Sequence, residues 1–464
     1  MIKASSFGFA PGNSANANSA ALQRAVDCGG EIFVDGQGIA DISEQIVLGS
    51  NTTLRFENGL YLRRQPCDGE TGYAMINRGA FTGETDHHIR IYGLRLMTNG
   101  VEHQVGAVQT ERNVPGLNGM VNFFHIRDLE IRDYENLDLQ PSNFSIHVCA
   151  FEDIKLENIR VEGRKDGIHL GRGRRFSIRH CIFRTYDDPI ALNAHDYSIS
   201  NPELGWIEDG VIEDCYDLND ADTVGFFCRI LAGSWVDWFP GMRVQHSDTV
   251  VHNHRLYRVF MTPDGREYTS VTPPTHEQGT VVLDGIAWVM VQEGDLHNCG
   301  CRNIAFRNIF LEKDRPVGFA FHFDKDRHSR SVYPGSEMPV QENITFENIH
   351  RRGKIRWLMF VKTPIRQVRM SHCDLTNTMM LLKNVGTEGV TYDRTDIFLN
   401  GCTFPADGTW PLIRVEGERT GRITTWGSHI TGKEYDPIVP PCIDIGPNDI
   451  GLRQGEWTRK RPAQ

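Results

Sequence analysis

Residues 154–161 read IKLENIRV, in which apolar and polar residues alternate on both sides of a single asparagine. Alternate residues of a β-strand point to opposite sides, so this pattern predicts two short strands with one apolar side each. Asn158 lies between them, and asparagine readily turns the chain because it tolerates the left-handed backbone conformation. The stretch therefore predicts a strand, a turn and a second strand.

The same pattern recurs at a nearly constant step. Copies of it occupy residues 176–183, 304–311 and 344–349, and weaker copies occupy 126–131, 368–375 and 397–404. The step is 22 residues from Ile154 to Phe176 and 24 from Ile344 to Val368, which is typical of one coil of a solenoid. We therefore predict an all-β fold, a right-handed parallel β-helix. A β-sandwich or a propeller is the alternative, but neither predicts a near-fixed step.

Two regions depart from the repeat. Residues 19–26 read SAALQRAV and are followed by Gly29-Gly30 and a strand. We interpret them as an N-terminal helix that caps the open end of the coils. Strand-like runs separated by turns replace the coil pattern from residue 235 to 295 and indicate a small inserted β module. The predicted organisation is a β-helix over residues 1–234, the inserted module over 235–295 and a β-helix over 296–464.

Composition limits the function classes. The 464 residues carry a formal net charge of −11, which argues against nucleic-acid binding, because that requires clustered cations. No apolar run is long enough for a membrane span, and the first residues show no signal peptide. The 11 cysteines form no CxxC pair. We expect a cytoplasmic protein, or a secreted one whose leader has been removed.

Two acidic segments stand one coil apart. Residues 164–170 read RKDGIHL, and residues 186–193 read YDDPIALN. Asp187 and Asp188 thus follow Asp166 by 21 and 22 residues. Neighbouring rungs lie about 4.8 Å apart, so the three carboxylates are predicted to converge. Crowding raises the pKa of one carboxyl, which can stay protonated as an acid while another acts as a base. Glycoside hydrolysis requires these two roles.

The order of capping helix, Gly-Gly, strand and coils resembles the pectin-lyase-like superfamily of right-handed parallel β-helices. Asp166 resembles the aspartate in the Asn-Thr-Asp-Gly segment of polygalacturonase-like (family 28-type) glycoside hydrolases, and Asp187-Asp188 resembles their Asp-Asp pair. The resemblance implies hydrolysis of a poly- or oligosaccharide with inversion and without a cofactor. The chain lacks that family's Gly-His-Gly and Arg-Ile-Lys segments, the nearest similar one being Arg229-Ile230-Leu231. Galacturonan is therefore not predicted as the substrate.

The predicted catalytic residues are Asp166, Asp187 and Asp188. Either Asp187 or Asp188 would protonate the leaving group, and the other would act with Asp166 on water. Histidines beside the carboxylates could bind hydroxyls, and arginine offers a planar set of donors. The candidate substrate-binding residues are His169, Arg172, Arg175, His195, Arg229, Asp324 and Arg327.

Two other functions remain open. A polysaccharide lyase or uronate epimerase would need a lysine or arginine base, and often Ca²⁺ held by carboxylates such as these. A tailspike-like protein would bind a glycan without cleaving it. In each case we expect a carbohydrate partner, no nucleic acid and no membrane. The sequence does not predict an oligomeric state.

Overall fold

The computed structural model describes residues 1–66, 72–98, 100–103, 105–220, 222–262, 264–324, 330–376, 378–383, 395–405, 413–416, 421–426, 429–431, 443–444 and 450–454. Arg327, one of the candidate substrate-binding residues, lies outside the described residues. None of the helices in these ranges is long and apolar enough to cross a membrane.

Parallel strands stack along three faces of a coiled chain, here called A, B and C. Face A contains Ile46–Leu48, Met75–Asn77, Ile168–Leu170, Ile190–Asn193, Cys228–Leu231, Arg315–His322, Ile355–Val361, Met379–Lys383, Ile413–Glu416 and Ile443–Asp444. Face B contains Ile2–Lys3, Gly30–Val34, Thr52–Phe56, Asp86–Tyr92, Gly173–Arg179, Ile365–Ser371, Thr395–Asn400, Gly421–Trp426 and Ile450–Gln454.

Face C contains Gly38–Ile42, Leu60–Arg64, Arg95–Met97 and Ile182–Thr185. Longer strands bend from face to face. Two strands pass through all three faces, namely Gly119–Leu139 and Phe144–Gly163. Three others pass through faces B and C, namely Ile207–Asp217, Cys301–Leu311 and Gln341–Arg351. Thr403–Pro405 pairs with His429–Thr431 in a separate sheet. The parallel β-helix predicted from the sequence is confirmed, and parallel connections of this kind are almost always right-handed.

Alternation of apolar residues builds the core between the faces. Ile154 pairs with Phe176 on the next coil, and Leu156 with Ile178. All four are buried. Asn158, which stands at the turn, has a φ of 54° in the left-handed region. The inward side chains of each coil therefore pack on those of the next, as the IKLENIRV pattern predicts.

Turn asparagines also join neighbouring coils through their side chains. The Nδ2 of Asn343 donates to Oδ1 of Asn303 over 3.0 Å. The Nδ2 of Asn348 donates to Oδ1 of Asn308 over 3.1 Å, and Asn308 donates in turn to Asp214. These bonds pair the side-chain amides of turns that stack on neighbouring coils.

The N-terminal helix covers the end of the stack. It spans Ala15–Asp27, beginning after Ser14, whose hydroxyl accepts a hydrogen bond from the N–H of Ala17. The amide side chain of Gln23 bonds both the N–H and the carbonyl of Val47 at the exposed edge of the coils. Such a cap satisfies backbone groups that an open sheet edge would leave free. Two single-turn helices, Ala4–Phe7 and Gly79–Thr82, complete the helical structure in the described ranges.

Separate sheets interrupt the coils after the face A strand Cys228–Leu231. Gly233–Ser234 pairs with Asn298–Cys299, and Met242–Val244 pairs with Tyr268–Ser270. A five-stranded sheet contains Val236–Asp237, Thr249–His252, Arg255–Met261, Ile286–Glu293 and Thr280–Leu283. Trp288 is fully buried within it and is a core residue. We call residues 236–293 the inserted sheets.

Candidate active site

The three aspartates lie along one edge of the β-helix, where the chain passes from face C to face A. Asp166 belongs to the turn that precedes Ile168–Leu170. Asp187 and Asp188 belong to the corresponding turn of the next coil, before Ile190–Asn193. One oxygen of each carboxylate lies within 4.8 Å of the others. Groups one coil apart in the sequence are thus direct neighbours in space.

The register of the coils holds the two turns together through the backbone. His169 pairs with Ala191 across the two strands, and the N–H of Gly167 donates to the carbonyl of Asp188 over 2.9 Å. A Cβ at Gly167 would lie 2.6 Å from the carbonyl oxygen of Pro189, closer than real Cβ atoms approach. Glycine therefore allows the acidic turns to stack at this distance.

The three carboxylates differ in accessibility. Asp166 and Asp188 are 2% and 3% exposed, whereas 23% of the Asp187 side chain is exposed. The N–H of Phe226 donates to Oδ1 of Asp188 over 2.6 Å, and a Cβ at Gly225 would lie 2.5 Å from the same oxygen. Asp187 is therefore the carboxylate that a large molecule can reach, while the other two admit only small groups.

Lys165 and His169 compensate the acidic charge. Lys165 stands one coil before Asp187, and its ammonium pairs with that carboxylate and lies 3.5 Å from Oδ1 of Asp166. Nδ1 of His169 lies 3.3 Å from Oδ2 of Asp166. The buried His169 ring stacks on Phe144 with its centroid 4.1 Å away, which fixes its orientation. Asp166 thus has a cation on one side and an imidazole on the other.

Burial and mutual repulsion separate the pKa values of the carboxylates. Burial opposes ionisation of Asp166, but Lys165 and His169 outweigh it and lower its pKa to about 2. Burial and the charges of Asp187 and Asp166 raise the pKa of Asp188 well above its usual value. Burial and the charge of Asp166 also raise the pKa of Asp187, although Lys165 opposes them. The group therefore combines an ionised carboxylate with carboxyls that retain a proton to higher pH.

Arg229 lies two rungs beyond His169 on the outer side of face A. Its Nη2 is 2.7 Å from Oδ2 of Asp324 and 3.6 Å from Oδ1 of Asp196. Both carboxylates are nearly inaccessible, and 13% of the Arg229 side chain is exposed. Burial opposes its charge, but Asp196 and Asp324 hold the pKa of Arg229 above its usual value. Arg229 therefore has two anionic partners inside the protein.

The inserted sheets hold the loop of residues 194–206 over face A. The N–H of Ser198 donates to the hydroxyl of Ser247 over 3.0 Å. His195, a predicted substrate-binding residue, is 1% exposed, and its ring lies 5.8 Å from that of Trp235. Burial lowers the pKa of His195 to about 3, so the imidazole is neutral. The structure buries this residue of the loop instead of placing it at the accessible side of the carboxylates.

Two predicted arginines lie elsewhere. Arg172 pairs with the carboxylate of Glu203. Arg175 donates from Nε to Oδ1 of Asp153 over 2.6 Å on the exposed outer side of face B. A coil leads the chain around three faces, so a few residues are enough to carry a side chain to a different side. The structure therefore separates both arginines from the three aspartates.

The structure brings three of the predicted substrate-binding residues near the carboxylates, namely His169, Arg229 and Asp324. Lys165 and Asp196 join them, although sequence reasoning did not select them as site residues. Lys165 precedes Asp187 by 22 residues, so the coil period would have predicted their contact. Asp196 reaches Arg229 from a loop, and no periodic signal could have predicted that.

The acidic cluster also has the oxygen ligands that a divalent cation prefers. The oxygens of Asp166, Asp187 and Asp188 are close enough to share one ion. The ammonium of Lys165 already lies between Asp166 and Asp187, so a metal ion would have to displace it or bind beside it. The residues of this cluster therefore fit proton transfer better than they fit metal binding.

Comparison with known proteins concerns the fold alone. No protein-family model matches the chain, and no curated protein matches it in sequence. The N-terminal fragment of gene product 12 of bacteriophage phi29 is 13% identical, with a TM-score of 0.50 over 93% of this chain and 71% of the other.

Two polygalacturonases are also structurally similar. The family 28 exopolygalacturonase of Yersinia enterocolitica is 10% identical, with a TM-score of 0.43 over 98% of this chain and 77% of the other. The polygalacturonase from Erwinia carotovora ssp. carotovora is 11% identical, with a TM-score of 0.42 over 95% and 96%. The similarity is one of fold alone.

Proposed function

We propose that the protein is a glycoside hydrolase that uses the three aspartates as acid and base. One observation carries the proposal: a partly exposed carboxyl of raised pKa, Asp187, stands within 4.8 Å of Asp166, whose pKa is about 2. Hydrolysis of a glycosidic bond needs one carboxyl that donates a proton and another that is ionised. The site offers both, side by side.

Accessibility assigns the roles. Asp187 donates its proton to the glycosidic oxygen, because it is the member of the group that a sugar can reach. Asp166 is ionised and accepts the proton of the attacking water. Asp188, which is buried, holds that water together with Asp166. The positive charge of Lys165 offsets the negative charge of the neighbouring carboxylates, so Asp166 stays ionised beside them.

Burial of two carboxylates also favours inversion. A retaining reaction requires direct attack by a carboxylate on the anomeric carbon. Asp166 and Asp188 are 2% and 3% exposed, so water reaches them more easily than a sugar ring does. The oxygens lie within 4.8 Å of one another, closer to the roughly 5–5.5 Å separation of carboxyl groups in retaining enzymes than to the roughly 6.5–9.5 Å in inverting ones. Water must therefore enter beside the line joining acid and base.

Hydrolysis and elimination leave different products. We expect a panel of plant, algal and host glycans to include one that yields new reducing ends without the ultraviolet absorbance of an unsaturated uronate. NMR of the fresh hydrolysate should show the inverted anomer first. Ultraviolet-absorbing products would show that the enzyme is a lyase and not a hydrolase. Initial formation of the retained anomer would show that a carboxylate acts as the nucleophile.

The pKa values predict the pH dependence. Activity should fall as pH rises through the raised pKa of Asp187, because the acid loses its proton, and at low pH when Asp166 is protonated. Lys165 lowers the pKa of both groups. In Lys165→Met, both limbs of the kcat/KM profile should therefore move to higher pH. Movement of either limb to lower pH would contradict the assigned roles.

Lys165 also bears on the alternative of a lyase or epimerase. Such an enzyme needs a neutral lysine or another base near the substrate. Burial opposes the charge of Lys165, but Asp166 and Asp187 keep its pKa above the usual value, so it is an ammonium ion and cannot accept a proton. A tailspike-like protein, the second alternative, would bind its glycan equally well after Asp187→Asn and would release no reducing ends.

A further inference from the structure

We infer that the site takes an uncharged sugar, and that Asp196 and Asp324 determine this preference by engaging Arg229. The inference rests on the proposed hydrolase function and adds the class of substrate. Recognition of a uronate requires a cation whose donors are free to meet a carboxylate. The preference for charged or uncharged sugars therefore depends on which partners the cations near the three aspartates already have.

Arg229 is the guanidinium on the outer side of face A, two rungs beyond His169. Its Nη2 lies 2.7 Å from Asp324 and 3.6 Å from Asp196, and its Cζ lies 5.8 Å from the ring centroid of Tyr197. Nε is buried without a hydrogen-bond partner. A substrate carboxylate would have to compete with two fixed carboxylates for this side chain.

Lys165 is engaged in the same way. Its ammonium pairs with Asp187 and lies 3.5 Å from Asp166. If a uronate took this ammonium, Asp166 would lose the cation that keeps its pKa at about 2, and the carboxylate would be protonated at a higher pH. The catalytic arrangement and uronate binding therefore make opposing demands on one lysine.

The balance of charge points the same way. The ion pairs around the three aspartates and Arg229 contain five carboxylates and two cations, namely Asp166, Asp187, Asp188, Asp196 and Asp324 with Lys165 and Arg229. Protonation of two of these carboxyls would still leave this ion-paired set without net positive charge. An added carboxylate would therefore find no excess of positive charge in this set. Sugar hydroxyls, by contrast, donate hydrogen bonds to carboxylate oxygens and carry no charge.

Arg164 is the competing candidate for a uronate receptor. It is exposed and lies over Tyr186, with its Cζ 5.5 Å from the ring centroid. Tyr186 directly precedes Asp187, so this guanidinium stands at the rim of the site. Its charge is screened by solvent, and exposed ion pairs contribute only about 0–1 kcal/mol. The experiment must therefore test Arg164 separately.

A matched pair of polymers isolates the carboxylate. Each uronate-containing polysaccharide of a panel is compared with its carboxyl-reduced form, which keeps the linkage and removes the charge. Binding is measured by calorimetry with Asp188→Asn, which leaves the ion pair of Lys165 and Asp187 in place, and cleavage is measured with the native protein. We expect a neutral form to bind at least about tenfold more tightly than its acidic parent. Asp324→Asn should reduce the ratio of the affinities for the neutral and the acidic form, because it removes one carboxylate partner of Arg229.

The outcomes distinguish the two proposals. Cleavage that favours an acidic parent, and that Arg164→Gln abolishes, would overturn the inference and leave the hydrolase standing. Binding of neutral forms without cleavage would uphold the preference and reject the hydrolase. If no polymer of the panel is bound or cleaved, both proposals fail. If Asp324→Asn leaves the ratio of the two affinities unchanged, Asp324 does not determine the preference for an uncharged sugar.

Discussion

Asp187→Asn is expected to lower kcat/KM on a polysaccharide by about 10²–10⁴-fold, the usual contribution of a general acid. Asparagine keeps the shape of the side chain but has no proton to give to the glycosidic oxygen. The fold should be preserved, because the side chain is partly exposed and its ion pair with Lys165 lies near the surface. Initial rates from reducing-end release measure the effect.

The leaving group provides the sharper comparison. A nitrophenolate leaves without a proton, so the loss in Asp187→Asn should be much smaller on a nitrophenyl glycoside than on the polymer. Asp153→Asn is the matched control, since Asp153 lies on the outer side of face B, where it pairs with Arg175. Equal losses on both substrates would show that Asp187 does not act as the acid.

The coil period accounts for what the sequence could predict. Strands with alternating apolar residues can stack in only one way without exposing their inward sides, so the step from Ile154 to Phe176 also sets the step from Asp166 to Asp188. Contact between the acidic turns follows from this register. A local sequence pattern was sufficient to predict this contact, because the two acidic turns are one coil apart.

The contacts of Arg229 could not be predicted in this way. Its rung is followed in space by the strand Arg315–His322, but the inserted sheets separate the two in sequence. Asp324 is therefore 95 residues from Arg229, and Asp196 approaches from a loop. Arg175 shows the opposite case, because it is close to Asp166 in sequence but lies on another face. Long-range contacts made by loops carry no periodic signal.

Arg315→Met is expected to destabilise the protein by about 3–5 kcal/mol, the cost of leaving a buried charge without its partner. Both side chains of the Arg315–Asp217 pair are fully buried. Nε and Nη2 of Arg315 lie 2.6 Å and 3.0 Å from the two oxygens of Asp217. Methionine fills most of the same volume, so the loss reports the charge and its hydrogen bonds. Urea denaturation measures it.

This ion pair also supports the acidic turn from behind. Nη1 of Arg315 lies 3.3 Å from the carbonyl oxygen of Asp187, and the ammonium of Lys313 donates to the carbonyl of Thr185 over 2.5 Å. Two buried cations thus hold the backbone on both sides of Tyr186. Loss of Arg315 should therefore reduce kcat in the fraction that remains folded, with little change in KM.

The double variant Arg315→Met/Asp217→Asn separates the two effects. With no buried charge left unpaired, it should regain most of the stability lost in Arg315→Met, as replacement of a whole buried ion pair often costs little. Activity should not return, because the donor to the carbonyl of Asp187 is still missing. If activity recovers with stability, the pair matters only for folding. If neither recovers, the hydrogen bonds of Arg315 to the turn, rather than its charge, hold this part of the coil together.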